Sequence, residues 1–241
     1  LWRPGAPQPR SVAATCALPA QAPQAPHAGM VWVPAGEYTP GDSLYPEERP
    51  AGRVKVAGFW MDRTEVTNDQ FARFVQATGY VTVAERPVDA ARQSAGMPAE
   101  LLKPGALVFR PPEQVVGGDP TQWWRYVPGA NWRQPGGPGS SISGRGAYPV
   151  VALTLADAQA YAAWLGRQLP SEAQWEWAAR AAQDAPMPSH EQPREANTWQ
   201  GRFPMQDARA DGFAGIAPVG CYAPNALGLY DMIGNVWELT A

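Results

Sequence analysis

The sequence predicts an α+β domain with low regular secondary structure, and three observations carry that expectation. Its 241 residues include 24 glycines and 27 prolines, about a fifth of the chain against a usual share of roughly an eighth. Residues of these two kinds interrupt helices and strands. Eleven tryptophans and a hydrophobic content of 45% argue against disorder, because disordered chains are poor in aromatics. Three Ser/Thr-headed capping boxes, at Thr67, Thr154 and Ser171, then place a few brief helices among short strands and long loops. The length suffices for one large core or at most two small ones.

Residues 1–29 are rich in Pro, Ala and Gln with almost no large apolar side chain. They bury too little surface to offset ordering entropy and read as a linker or a surface-draped arm. The domain proper, 30–241, opens at Met30-Val-Trp-Val-Pro-Ala-Gly36, a short strand entering a turn. Arg53 to Met61 begins with the apolar–polar alternation of a half-buried strand. Thr67-Asn-Asp-Gln70 opens a helix with Phe71, Phe74 and Val75 on one face and Gly79 as its stop. Thr154 to Asp157 opens a second, carrying Ala160, Tyr161, Trp164 and Leu165 and followed by Gly166. Ser171 to Gln174 opens a third, with Trp175, Ala178 and Ala179 facing inward. Pro87 to Gly146 and Gln183 to Gly220 read as long polar loops, the kind that usually carries function or is disordered.

Several functions are disfavoured at once. The net charge is −3 with no block of like charge, so nucleic-acid binding lacks its basic face. No apolar run approaches the roughly 18 residues of a membrane span. The two histidines, His27 and His190, sit in no metal-ligand or triad context, which leaves zinc and Ser-His-Asp chemistry unsupported. Gly136 to Gly146 could offer amides to an anion, but Pro138 removes a donor and no lysine is present; a plain flexible loop is the better reading. Two cysteines, Cys16 and Cys221, are too few for a disulfide scaffold or a zinc site. A bridge between them stays open for an oxidising compartment.

Two oxygen-rich segments remain. Asp231 and Glu238 flank Gly234, and such a turn can aim carboxylates and carbonyls at one hard cation such as Ca2+. Spacing alone favours the simpler alternative, a glycine turn with solvated acids, because the EF-hand pattern is absent. Asn197 and Asp211, with nearby carbonyls, form a second such set; both are also ordinary turn residues.

Longer motifs change that balance. Asn225-Ala-Leu-Gly-Leu-Tyr-Asp-Met-Ile-Gly-Asn-Val-Trp-Glu238 resembles the signature of the formylglycine-generating enzyme (sulfatase-modifying factor) family. Met30 to Gly36, Glu65-Val-Thr-Asn68 and Thr78-Gly-Tyr80 are similar to that family's opening strand and first helix. Pro128-Gly-Ala-Asn-Trp-Arg133 with Gly137-Pro-Gly-Ser-Ser-Ile142 resembles an insert of its full-length enzymes, and Leu169-Pro-Ser-Glu172 and Trp175 to Arg180 its central helices. The resemblance runs in order from Met30 to Glu238.

It implies a C-type-lectin-like fold with two structural Ca2+ ions. One would be held by Asn197, Asp211 and the carbonyls of Thr198 and Phe213; the other by Asp231, Glu238 and the carbonyls of Gly234 and Val236. Glu65 matches a further acidic position beside a cation, and Asn235 and Trp237 match residues lining the active site. Trp237 reads equally well as a core aromatic. The family oxidises a cysteine within C-x-P-x-R to formylglycine with O2, using copper held by two thiolates. Soft thiolates suit Cu(I). Those two cysteines have no counterpart here, so the fold is expected to be C-terminally incomplete, with copper possible only in a full-length parent.

The resemblance also implies partners and place: a sulfatase-type polypeptide or a small-molecule siderophore precursor, in a secreted or periplasmic setting. Three functions follow from it. The first is the peptide-cysteine oxidase. The second is a periplasmic paralogue maturing a siderophore (pyoverdine) chromophore, and the third a non-catalytic lectin-like binding module. Ala152, Thr154, Leu155, Ala162, Gln168 and Leu239 depart from common family residues, which puts the substrate, not the fold, in question.

Overall fold

The computed structural model describes residues 16, 27–42, 52–88, 96, 98–115, 119–185 and 196–241. Most of the expected arm, and His190, lie outside them. The first strand, β1 (Met30–Val33), does not continue into a hairpin. It pairs antiparallel with β4 (Phe59–Asp62), while the intervening β2 (Gly36–Tyr38) and β3 (Val54–Val56) pair with each other. The single strand expected from Arg53 to Met61 is therefore two. They part at Ala57-Gly58, where a Cβ on Gly58 would collide with the Trp32 indole.

All three capping boxes form. Helix α1 (Asn68–Thr78) starts with Thr67 Oγ1 accepting from the Gln70 amide at 3.3 Å and Gln70 Oε1 accepting from the Thr67 amide at 2.7 Å. It stops at Gly79, whose φ of 67° is left-handed and whose amide closes on Val75 O at 2.8 Å. Helix α2 (Leu155–Trp164) and helix α3 (Glu172–Ala179) begin the same way at Thr154 and Ser171. The long segment Pro87 to Gly146 is not all loop. It contains the antiparallel pair β5 (Gly105–Phe109) and β6 (Trp124–Pro128), and Gln183 to Gly220 contains the two-residue strands β7 (Gly201–Arg202) and β8 (Gln206–Asp207). Among the described residues every sheet is two-stranded, consistent with the expected scarcity of regular structure.

Two apolar clusters hold these pieces. Val33, Tyr38 and Val56 from the paired strands close on Trp177, Ala178 and Ala179 of α3 and on Leu229 and Met232 of the C-terminal segment. The sequence pointed to Trp175 as the inward tryptophan, but Trp177 is the deeply buried one. Its indole N–H donates to Pro34 O at 2.8 Å, and its ring fills the space a Cβ on Gly36 would take. Phe71, Phe74, Trp132 and Tyr161 form the second cluster between α1, α2 and the Pro128–Ile142 region. The glycine-rich stretch from Gly136 is a wound turn and not a free loop. The Gly136 amide donates to Ser140 Oγ at 3.0 Å and the Arg145 amide to Ile142 O at 2.8 Å, so those donors serve the loop itself and not an anion.

Candidate cation site

The C-terminal segment Leu229–Glu238 runs back over the first cluster without forming a strand or helix. Leu229 and Met232 anchor it in the core. From Leu229 to Trp237 the backbone takes three positive φ angles, 54° at Asp231, 80° at Gly234 and 56° at Asn235. Positive φ at two non-glycine residues is a strained arrangement that persists only when surrounding bonds fix it. Those bonds are present. Gly234 pairs with Asn197 as an isolated parallel bridge, and the Asn235 amide donates to Asn197 O at 2.7 Å. Asn197 Nδ2 donates to Asn235 Oδ1 at 2.7 Å and to Gly215 O at 2.8 Å. Asn235 Oδ1 also accepts from the Ala217 amide, while its Nδ2 donates to Glu65 Oε1, both at 2.9 Å.

The two oxygen-rich segments of the sequence are thus adjacent. Both protons of the Asn197 side-chain amide are taken, which leaves its Oδ1 able to face a cation. Asn235 acts as a bracket: its whole side-chain amide is engaged with protein. Glu65, 170 residues away in sequence, joins the cluster through that bracket. Asp231 Oδ2 accepts from the Gly220 amide at 2.6 Å, and Glu238 Oε2 accepts from the Trp175 indole at 3.2 Å.

The electrostatics of this corner are unbalanced. Glu65 and Asp231 are both buried, and Glu65 Oε2 has no hydrogen-bond donor. Burial, then the neighbouring Asp231 and Glu238 charges, hold the Glu65 carboxyl far above the usual carboxylate range. Burial raises Asp231 as well, and burial with Asp231 nearby lifts Glu238 to about 7. Like charges in a low-dielectric place either keep protons or take a counter-ion. Among the described residues no three His, Cys, Asp or Glu side chains converge on one point. Any ligand set here must be completed by amide and carbonyl oxygens, as hard divalent ions accept. The donor chemistry, the orphaned Glu65 oxygen and the Asn197–Gly234 bridge all fit such an ion.

The other ligands anticipated from the sequence are distributed as follows. Asp211 Oδ1 accepts from the Phe213 amide at 3.1 Å, and its carbonyl accepts from the Tyr222 hydroxyl at 3.1 Å. The Phe213 and Tyr222 rings meet at 6.3 Å. Thr198 follows Asn197 and accepts through Oγ1 from Gln200 at 2.8 Å; Val236 is half-buried beside Asn235. Trp237 is not a core aromatic. It is 88% exposed and touches Trp124 at 5.7 Å, at one end of an aromatic surface that continues through Phe109, Trp199 and Phe203. Gly220, Tyr222 and Trp175 were invisible as site residues in the sequence, since each acts only through a long-range bond. The two cysteines form a disulfide and neither is a free thiol. They do not fit a thiolate copper site.

Comparison with known proteins gives the family and the fold. The family model described as "Sulfatase-modifying factor enzyme 1-like domain" matches residues 15–241. A formylglycine-generating enzyme of Mycobacterium tuberculosis is 49% identical over 218 residues, 88% of this chain and 73% of that protein. The mouse protein named inactive C-alpha-formylglycine-generating enzyme 2 is 41% identical over 220 residues, 88% of this chain and 68% of its own. Among solved structures, PvdO from Pseudomonas aeruginosa superposes with a TM-score of 0.53 at 27% identity, covering 88% of this chain and 69% of that one. The small sheets, few helices and cross-linked C-terminal loops are thus those of a formylglycine-generating-enzyme-like fold, and the chain belongs to the sulfatase-modifying factor enzyme 1-like family.

Proposed function

We propose that the parent protein is an oxidase that converts a cysteine of a sulfatase-type polypeptide to formylglycine with O2, on a platform held by two Ca2+ ions. The observation that supports it most is the 49% identity to an enzyme of that name over 88% of the chain. The net change balances when a thiol reductant is present. The substrate thiol R–CH2–SH, one O2 and two reductant thiols give the aldehyde R–CHO, hydrogen sulfide, water and the reductant disulfide.

The residues of this chain contribute the platform. Asn197 and Asp211 with the Thr198 and Phe213 carbonyls would hold one ion. Asp231 and Glu238 with the Gly234 and Val236 carbonyls would hold the other, and Glu65 would balance charge beside it. Asn235 locks the two segments together. Trp237, standing in solvent on the aromatic surface, offers a flat apolar wall to a substrate chain. No thiol of this chain is free to bind copper, so no redox step is assigned to its residues.

The test is mass spectrometry of a C-x-P-x-R peptide incubated with full-length protein, Cu(I), O2 and a thiol reductant. The cysteine is expected to become the aldehyde; the 241-residue chain alone is expected to leave it intact. A full-length protein that never alters the thiol removes the activity. The likeness to PvdO favours a second reading, maturation of a siderophore chromophore in the periplasm. Oxidation of that precursor together with an untouched peptide would select it. If calcium binds and neither substrate is altered, the remaining reading is a lectin-like binding module, for which the inactive mouse relative is the parallel. Among the described residues no helix is long and apolar enough to cross a membrane.

A further inference from the structure

Cys16 lies 205 residues before Cys221, and the two are joined. The position of Cys221 gives that bond its interest. It is the middle residue of Gly220-Cys221-Tyr222, a segment without helix or strand, and each neighbour holds a different ligand set. On one side the Gly220 amide donates to Asp231 Oδ2 at 2.6 Å. On the other the Tyr222 hydroxyl donates to the Asp211 carbonyl at 3.1 Å, with its ring against Phe213. One further contact holds this stretch: the Val219 amide donates to Ala147 O at 3.0 Å. Three consecutive residues therefore couple both oxygen-rich sets to one covalent anchor.

We propose that the Cys16–Cys221 disulfide is a thiol-sensitive clamp that positions both calcium ligand sets, so that reducing it weakens calcium binding. The proposal rests on the cation reading given under Proposed function. A dithiol reductant supplies two electrons and two protons; the S–S bond breaks, two cysteine thiols form, and the reductant leaves as its own disulfide. Freed from Cys16, the 220–222 segment keeps its hydrogen bonds and the Tyr222–Phe213 ring contact but no covalent tie, and each ligand set incurs an ordering cost when an ion arrives. Cys221 and Tyr222 are positioning residues in this scheme and are not ligands.

Calcium titration by calorimetry decides it. The protein is compared oxidised, reduced, as Cys16→Ser, and as Tyr222→Phe with the disulfide intact, and near-UV circular dichroism reports the fold of each. The oxidised protein is expected to bind two ions. The reduced protein and Cys16→Ser should bind them at least fivefold more weakly, and Cys16→Ser should ignore reductant. Tyr222→Phe should weaken one ion and spare the other, a split that general destabilisation does not produce. Equal affinity in oxidised and reduced protein overturns the clamp and leaves the cation reading standing. Absence of calcium binding in every form overturns both. If reduction unfolds the chain even in saturating calcium, Tyr222→Phe decides: unchanged affinity for both ions overturns the clamp.

Discussion

Gly234 is where one residue's conformation decides the site. Its φ is 80°, and a Cβ built there lands on the Asn197 carbonyl oxygen, the acceptor of the bond that joins the two segments. Two penalties therefore coincide, an unfavourable φ and a backbone collision. Gly79 separates them, because its φ of 67° carries the first penalty while nothing lies within 4 Å of its added Cβ. Gly79→Ala is expected to cost about 1 kcal/mol. Gly234→Ala should cost roughly 2–4 kcal/mol and abolish calcium binding, because the Asn197–Asn235 bracket must open to admit the methyl group. Urea unfolding of the two variants checks this. Equal costs would mean that the bracket yields freely and does not fix the site.

At the scale of elements, the helix starts are held by more than their own caps. Asp157 completes the α2 capping box, with Oδ2 accepting from the Thr154 amide at 2.9 Å and from its hydroxyl at 2.8 Å. Oδ1 accepts at 3.0 Å from both the Tyr80 hydroxyl and the Val83 amide. This fully buried side chain therefore ties α2 to the turn after α1. All four partners are donors. Asp157→Asn keeps the shape but turns an amide nitrogen toward two of them, so it should lose about 2–4 kcal/mol, with α1 and α2 losing hydrogen-exchange protection together. The cap itself was legible because a capping box is local, written within four residues. Its ties to Tyr80 and Val83 were not, since nothing near Asp157 encodes them. The β5–β6 pair escaped for a related reason: 14 residues separate its strands, with no two-residue turn signal between them. The residues proposed as calcium ligands were chosen from long ordered motifs. Motifs did not reveal that Asn197 pairs with Gly234, that Asn235 reaches Glu65, or that Cys221 bonds to Cys16. Those are products of chain closure. Trp237 was undecidable in the sequence because exposure depends on which loops pack beside it.

For the whole molecule, stability, protons and a bound cation are linked through the same carboxyls. Glu65, Asp231 and Glu238 are all raised above their ordinary values in the folded chain. The ion-free native state therefore holds more protons than the unfolded state above about pH 4.5, up to about 7 for Glu238 and higher for Glu65. Stability falls with rising pH wherever the native state is the more protonated one, so the ion-free protein should weaken steadily from pH 5 to pH 8. A calcium ion requires the ionised carboxylates and displaces those protons, so its affinity should rise across the same interval. At one hundred times its Kd a single ion adds about 2.7 kcal/mol, or roughly 5–10 °C in Tm for a chain of this size. The gap between melting curves in calcium and in chelator should thus be small at pH 5 and large at pH 8. Glu65→Gln separates the two effects by sign. A glutamine needs no proton to stay buried, so it should raise the Tm of the ion-free protein at pH 8, where the unfolded Glu65 is ionised, while the gain from calcium shrinks. A chelator that leaves the Tm unchanged at pH 8, with Glu65→Gln melting lower than the parent chain, would mean that these carboxyls are reconciled by protein contacts alone.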